Sequence, residues 1–125
     1  MRLSESFFYI RKREESCGKQ LFTICLNGEH EIFRAHFPGE PITPGVCQLQ
    51  MVVECAERCI GARLYVTEVR NIKYLSLMRP VEGREYLIEL SGIETVGGGY
   101  RLKAAIYCGT DVCTKMSLNL STNRN

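Results

Sequence analysis

His36 opens the stretch of this chain whose residue types can do chemistry. An unperturbed imidazole titrates near ~6.5, so at neutral pH it can take up a proton and return it. Gly45 follows nine residues on, and Gln50 and Glu54 come after it at i, i+4 spacing. On a helix starting near 44, Gln50 and Glu54 share a face. Gly45 N–H then lies in the first turn, where donors lack an acceptor within the helix. The dipole adds partial positive charge there, and glycine lets a ligand come close, which suits an oxygen on which charge builds. A glycine beside Pro44 also avoids crowding, and both readings can hold. Glu54 is either a carboxyl able to give up a proton or the ion-pair partner of Arg58 one turn away. The Gln50 amide cannot act as an acid but can orient a water or a hydroxyl. Cys47 and His36 would form a nucleophile–base pair on paper, but nothing in the sequence supplies the third, orienting group.

The elements that must hold these residues are legible. Between His36 and Thr43, Pro38, Gly39 and Pro41 fall within four residues. Missing donors and extended pre-proline residues exclude a regular helix or central strand there. The spacing predicts a helix over 44–60, with Thr43 as N-cap, Pro44 at the first helical position and Gly61 as left-handed C-terminal cap. Val46, Cys47, Leu49, Met51, Val52, Val53, Cys55, Ala56, Cys59 and Ile60 leave only a polar stripe of Gln50, Glu54, Glu57 and Arg58. A helix apolar on most sides is buried, so the expectation is a central helix with sheet wrapped around it.

The run His36-Phe37-Pro38-Gly39-Glu40-Pro41-Ile42-Thr43-Pro44-Gly45-Val46 resembles the active-site signature of the FabZ/FabA-type 3-hydroxyacyl-ACP dehydratases. Ile72-Lys73-Tyr74 and Arg79-Pro80-Val81-Glu82-Gly83 resemble the strand and turn that follow the helix in that family. The resemblance covers about residues 20 to 120 and is concentrated in 33 to 46. It implies a hotdog fold, of class α+β, with an antiparallel sheet around one long central helix. It also implies removal of water from a 3-hydroxyacyl thioester to give the trans-2-enoyl thioester, with no cofactor beyond the phosphopantetheine of the acyl carrier protein.

Such a reaction needs a base for the C2 proton, an acid for the departing hydroxyl and donors for the thioester oxygen. The resemblance assigns His36 as base and Gly45 N–H as donor. The family's acidic residue stands fourteen positions after the histidine, where this chain has Gln50, and the family's later glutamine is replaced by Glu54. The pair is exchanged, and the ~6 Å that separates one helical turn from the next leaves Glu54, or a water held by Gln50, as the proton source. In the family's dimer the histidine of one subunit faces the acid of the other, so a homodimer is expected, with a higher oligomer or a heterodimer as alternatives. Phe33, Phe37, Pro44, Val46 and Met51 would line the acyl site, or simply pack in the core. Arg70, Lys73, Arg79 and Arg84 would meet the acidic carrier protein, or form an ordinary solvated face. Two other functions stay open: a catalytically impaired homologue acting as acyl-binding or partner subunit, which Gln50 favours, and a hotdog thioesterase using Glu54 with water.

At 125 residues, 45% hydrophobic, 24% charged and net +2, the chain reads as a single domain over 1–125 with a real core. That balance argues against disorder and nucleic-acid binding. No apolar run reaches the ~18 residues that span a membrane. Arg11-Lys12-Arg13 follows the N-terminal apolar patch instead of preceding it, so a cytoplasmic protein is expected. The seven cysteines contain no C-x-x-C pair, so neither a metal nor a disulfide framework is expected and they read as reduced core residues, with Cys108 and Cys113 facing across a hairpin turn. Strands are expected over 5–15, 20–26, 63–77, 84–95, 100–108 and 112–120. The four after the helix form a meander, and a polar tail occupies 121–125.

Overall fold

The computed structural model describes residues 2–124; Met1 and Asn125, the ends of the expected domain and tail, lie outside the described residues. The chain runs β1 (Phe8–Ser16), β2 (Lys19–Leu26), α1 (Glu31–Ala35), α2 (Gly45–Ile60), β3 (Tyr65–Tyr74), β4 (Glu85–Val96), β5 (Gly99–Cys108) and β6 (Asp111–Ser121). All six strands join one antiparallel sheet in the order β1-β2-β4-β5-β6-β3. The two-residue turns come where the sequence supplies positive φ. Cys17 and Gly18 join β1 to β2 at φ 52 and 76, and Gly97 and Gly98 join β4 to β5 at φ 53 and 82. Such turns match the right-handed twist of the strands they join.

The inward residues of the sheet close on α2. Phe22, Ile24, Ile88, Leu90, Leu102, Ile106 and Leu118 are buried with Met51, Val52, Cys55 and Ala56 of the helix. Each such side chain contributes about 1.5–3 kcal/mol on burial. α2 ends at Gly61, whose φ of 80 is the left-handed cap expected, and Gly61 N–H bonds Glu57 O at 2.8 Å.

Five expectations change. Helix α2 starts at Gly45 and its N-cap is Pro44, without a side-chain cap; Thr43 is spent elsewhere, its N–H bonding Met78 O at 2.8 Å. The approach to the loop is a short helix, α1, because the His30 side chain accepts from Ile32 N–H and caps it. Residues 3–7 form a turn and not strand, with Leu3 O accepting from Ser6, Phe7 and Phe8 N–H. The expected meander holds only for β4, β5 and β6; β3 ends at Tyr74 and runs on the far edge beside β6. Strand β6 extends through Ser121, so the tail begins one residue later.

Candidate active site

The histidine loop is closed by its own backbone, which is how it tolerates two prolines. Phe37 N–H bonds Glu40 O at 3.3 Å, Glu40 N–H bonds Phe37 O at 3.0 Å, and Ile42 N–H bonds His36 O at 2.9 Å. Gly39 sits inside this turn at φ 80, a value that favours glycine. His36 also ends α1, its N–H bonding Ile32 O at 3.1 Å. The imidazole is exposed and meets the Phe37 ring edge-on at a centroid distance of 5.9 Å. A solvent-facing imidazole on a rigid loop can exchange protons.

Gly45 is the first helical residue, so its N–H has no acceptor in the helix ladder. Pro44 O takes the next bonds, from Cys47 N–H at 3.0 Å and Gln48 N–H at 3.1 Å. Tyr74 fills the space that a side chain at residue 45 would need. A Cβ on Gly45 would lie 2.6 Å from Tyr74 Cζ and closer still to its hydroxyl oxygen. Tyr74 is half exposed, and partial burial raises its pKa above the ordinary phenol value. The helix start is tied to the sheet by Gln48, which is buried; its Nε2 donates to Thr43 O at 3.2 Å, and its Oε1 accepts from Thr114 Oγ1. Thr43 Oγ1 is buried without a hydrogen-bond partner among the described residues.

Sequence reasoning missed Gln48, Tyr74 and Thr114. Gln48 had a signal, an amide on the apolar side of α2. Tyr74 stood in the Ile72-Lys73-Tyr74 resemblance without a role and Thr114 had no signal, because their places follow from the β3–β6 register that pairs them.

Gln50 and Glu54 lie farther down α2. At ~1.5 Å per residue, Glu54 is ~14 Å along the axis from Gly45. Gln50 Nε2 donates to Glu54 Oε2 at 2.9 Å. The Glu54 carboxylate is buried, at 3% exposure, and accepts from two backbone donors, Leu3 N–H at 2.7 Å and Ser4 N–H at 2.8 Å. Glu54 therefore leaves the polar stripe expected of it. No ion pair joins it to Arg58 among the described residues, and Glu57 pairs with Arg2. Within one chain the structure brings His36 and Gly45 to the same end of α2 and holds Glu54 at the N-terminal segment.

The expected acyl-site residues divide. Phe33 is core, stacked on Phe7 at 4.7 Å, and Met51 is fully buried. Phe37 and Val46 are 57% and 65% exposed, and Pro44 is half-buried. Phe33, Arg34, Phe37, Pro38 and Pro41 line a groove of about 320 Å³ beside the loop. Arg70 and Lys73 lie exposed on β3; Arg79 and Arg84 flank the connection to β4, Arg84 exposed and Arg79 half-buried. All seven cysteines are free; Cys47, Cys55 and Cys113 are buried, and Cys17, expected in the core, is exposed. Among the described residues no group of three or more His, Cys, Asp or Glu side chains can hold a metal. Among the described residues no helix is long and apolar enough to cross a membrane.

Comparison with known proteins shows the family and the fold. A family model described as ApeI-like, ApeI dehydratase, matches residues 11–102. A 3-hydroxyacyl-[acyl-carrier-protein] dehydratase FabZ of Verminephrobacter eiseniae is 32% identical over 94 residues, covering 69% of this chain; the chain spans 63% of that relative's length. Among solved structures, the dehydratase heterocomplex ApeI:P of Xenorhabdus doucetiae aligns at TM-score 0.74 and 18% identity, over 90% of this chain and 96% of that one. A thioesterase superfamily protein of Shewanella loihica aligns at TM-score 0.59 and 14% identity, over 90% of each chain. These likenesses show the hotdog fold.

Proposed function

Because the chain belongs to the ApeI-like dehydratase family, we propose that it eliminates water from a 3-hydroxyacyl thioester of acyl carrier protein, giving the trans-2-enoyl thioester. The observation that carries this reading is an exposed His36 on a closed loop that leads to Gly45, the first residue of a buried helix, whose N–H has no acceptor within that helix. His36 takes the C2 proton. Gly45 N–H receives the thioester oxygen as charge builds on it. The C3–O bond breaks, and the proton taken up by His36 returns through a water on the Gln50 amide to the departing hydroxyl, which leaves as water. Glu54, engaged by Leu3 and Ser4, acts by fixing that amide. A thioesterase would need the Glu54 carboxylate for its own water, and that carboxylate is occupied.

The reading places the site in a homodimer, where His36 of one subunit faces Gln50 of the other; a higher oligomer is compatible. It is supported by the exposure of Val46 and Phe37 and by β3, an edge strand carrying exposed Val66 and Val69. Exposed Phe37 and Val46, with Pro44, are the acyl-site candidates. Arg70, Lys73, Arg79 and Arg84 are the proposed contacts for the acidic carrier protein. Cytoplasmic placement belongs to the same proposal, supported by seven free thiols.

A second reading is favoured by one residue. Gln50 replaces the acid, and the solved relative is titled a heterocomplex, which supports a partner subunit whose active mate completes the site. The test is enoyl-thioester absorbance over time with a panel of 3-hydroxyacyl carrier proteins, beside His36→Ala. Turnover that disappears in His36→Ala supports the stand-alone enzyme. A folded homodimer silent on every chain length sinks it and leaves the partner subunit.

A further inference from the structure

We propose that the Tyr74 hydroxyl is a second hydrogen-bond donor to the thioester carbonyl oxygen at the start of α2, beside Gly45 N–H. The inference rests on the dehydratase reading and adds to it a positioned donor from outside the helix. In an α-helix the Cα–Cβ direction tilts toward the N-terminus. The phenol fills the Cβ direction of Gly45 and so lies beside the first residue of α2, on the N-terminal tilt of that direction. The ring can take this place only because residue 45 has no side chain.

The position is held by the fold. Tyr74 is the last residue of β3 and pairs with Thr114 on β6. Leu75 N–H bonds Cys113 O at 2.7 Å, which clamps the strand just after the tyrosine. Thr114 in turn donates to Gln48, and Gln48 donates to Thr43 O, the residue before the cap. One continuous set of hydrogen bonds thus ties the strand carrying the phenol to the helix start carrying the amide. Half of the Tyr74 side chain stays open to solvent, so an incoming group can reach it.

The chemistry fits a donor and not an acid. A phenol whose pKa is raised by burial stays protonated at neutral pH and keeps its hydrogen to donate. It also sits at Gly45, and the Gln50 position is five residues, ~7.5 Å, farther along the axis. The carbonyl oxygen, not the departing hydroxyl, is therefore the atom within its reach. No proton transfer from Tyr74 is involved.

Tyr74→Phe keeps the ring and removes only the hydroxyl, and thermal unfolding confirms that the variant is folded. The first readout is the infrared carbonyl band of ¹³C-labelled crotonyl-pantetheine bound to the protein, which needs no turnover. A lost donor moves the band to higher wavenumber in Tyr74→Phe. An identical band overturns the proposal, as does failure of the wild-type protein to bind the thioester. The second readout is dehydration. Loss of one such donor lowers kcat by about 100–1000-fold with KM little changed; an unchanged kcat overturns the proposal. A wild-type protein that shifts the carbonyl band yet dehydrates nothing sinks the activity reading while leaving the donor role supported.

Discussion

Glu54→Gln separates an anchor from an acid. The carboxylate is 3% exposed and holds two backbone donors, Leu3 N–H and Ser4 N–H. Solvent screening is slight at that burial, so the usual discount for surface charges does not apply. Hydrogen bonds to a charged group contribute about 1.5–3 kcal/mol each. Glutamine keeps the shape but offers one oxygen in place of two and turns an amide toward an amide. One bond is lost outright, and a buried donor, Leu3 N–H or its neighbour, faces another donor. The expected loss is about 2–4 kcal/mol. For a domain of this size 1 kcal/mol is worth about 3–5 °C, so Tm should fall by about 10 °C. Circular dichroism gives the Tm, and hydrogen exchange of the peptide over residues 2–8 reports the anchor itself, which should exchange faster because Leu3 and Phe7 lose their tether. A catalytic acid would behave otherwise, with activity lost at an unchanged Tm. A Tm within 2 °C of wild type together with unchanged exchange would refute the anchor.

Three further outcomes follow from the same contacts. Gly45→Ala drives a methyl into the Tyr74 ring and should cost about 1–3 kcal/mol; adding Tyr74→Ala should recover most of it, and denaturant unfolding of the double-mutant cycle reads the coupling. Gln48→Leu removes the bonds to Thr43 O and Thr114 Oγ1 and strands both, for an expected loss of about 2–4 kcal/mol by urea unfolding. Burial raises the thiol pKa of Cys55 well above its ordinary value, and those of Cys47 and Cys59 less. The unfolded thiols ionise near ~8.5, so the unfolded state releases protons first, and stability present below that pH is lost as pH rises above it. Cys55→Ala should flatten that decline, and iodoacetamide at pH 8 should label exposed Cys17 before native Cys55.

The fold was legible wherever it depends on local chemistry. Pro44, Gly45 and Gly61 bracket α2 within a residue, and the alternation of Tyr86, Ile88 and Leu90 matches their burial in β4. What pattern could not show is pairing between strands distant in sequence. Strand β3 looks the same in sequence whether it joins β4 or β6, and its choice of β6 decides where Tyr74 ends up. The turn at residues 3–7 was read as strand because Phe7, Phe8 and Tyr9 favour strands. Its true cause is a carboxylate 51 residues away.

The same long-range contact bears on how the exchanged pair reads. From sequence alone, Gln50 and Glu54 look like an acid and an amide that traded places on one helix face. That exchange would restore the chemistry only if Glu54 were free to turn toward the substrate. Its oxygens instead meet Leu3 N–H, Ser4 N–H and the Gln50 amide, all within the ordinary hydrogen-bond range. Using that carboxylate as a proton donor would disturb the buried bonds it accepts from Leu3 and Ser4 N–H, which contribute about 1.5–3 kcal/mol each. With the Glu54 oxygens so engaged, the proposed role for Gln50, at the family's acid position, is to orient a water, a hydroxyl, or the corresponding face of a partner that carries the acid itself.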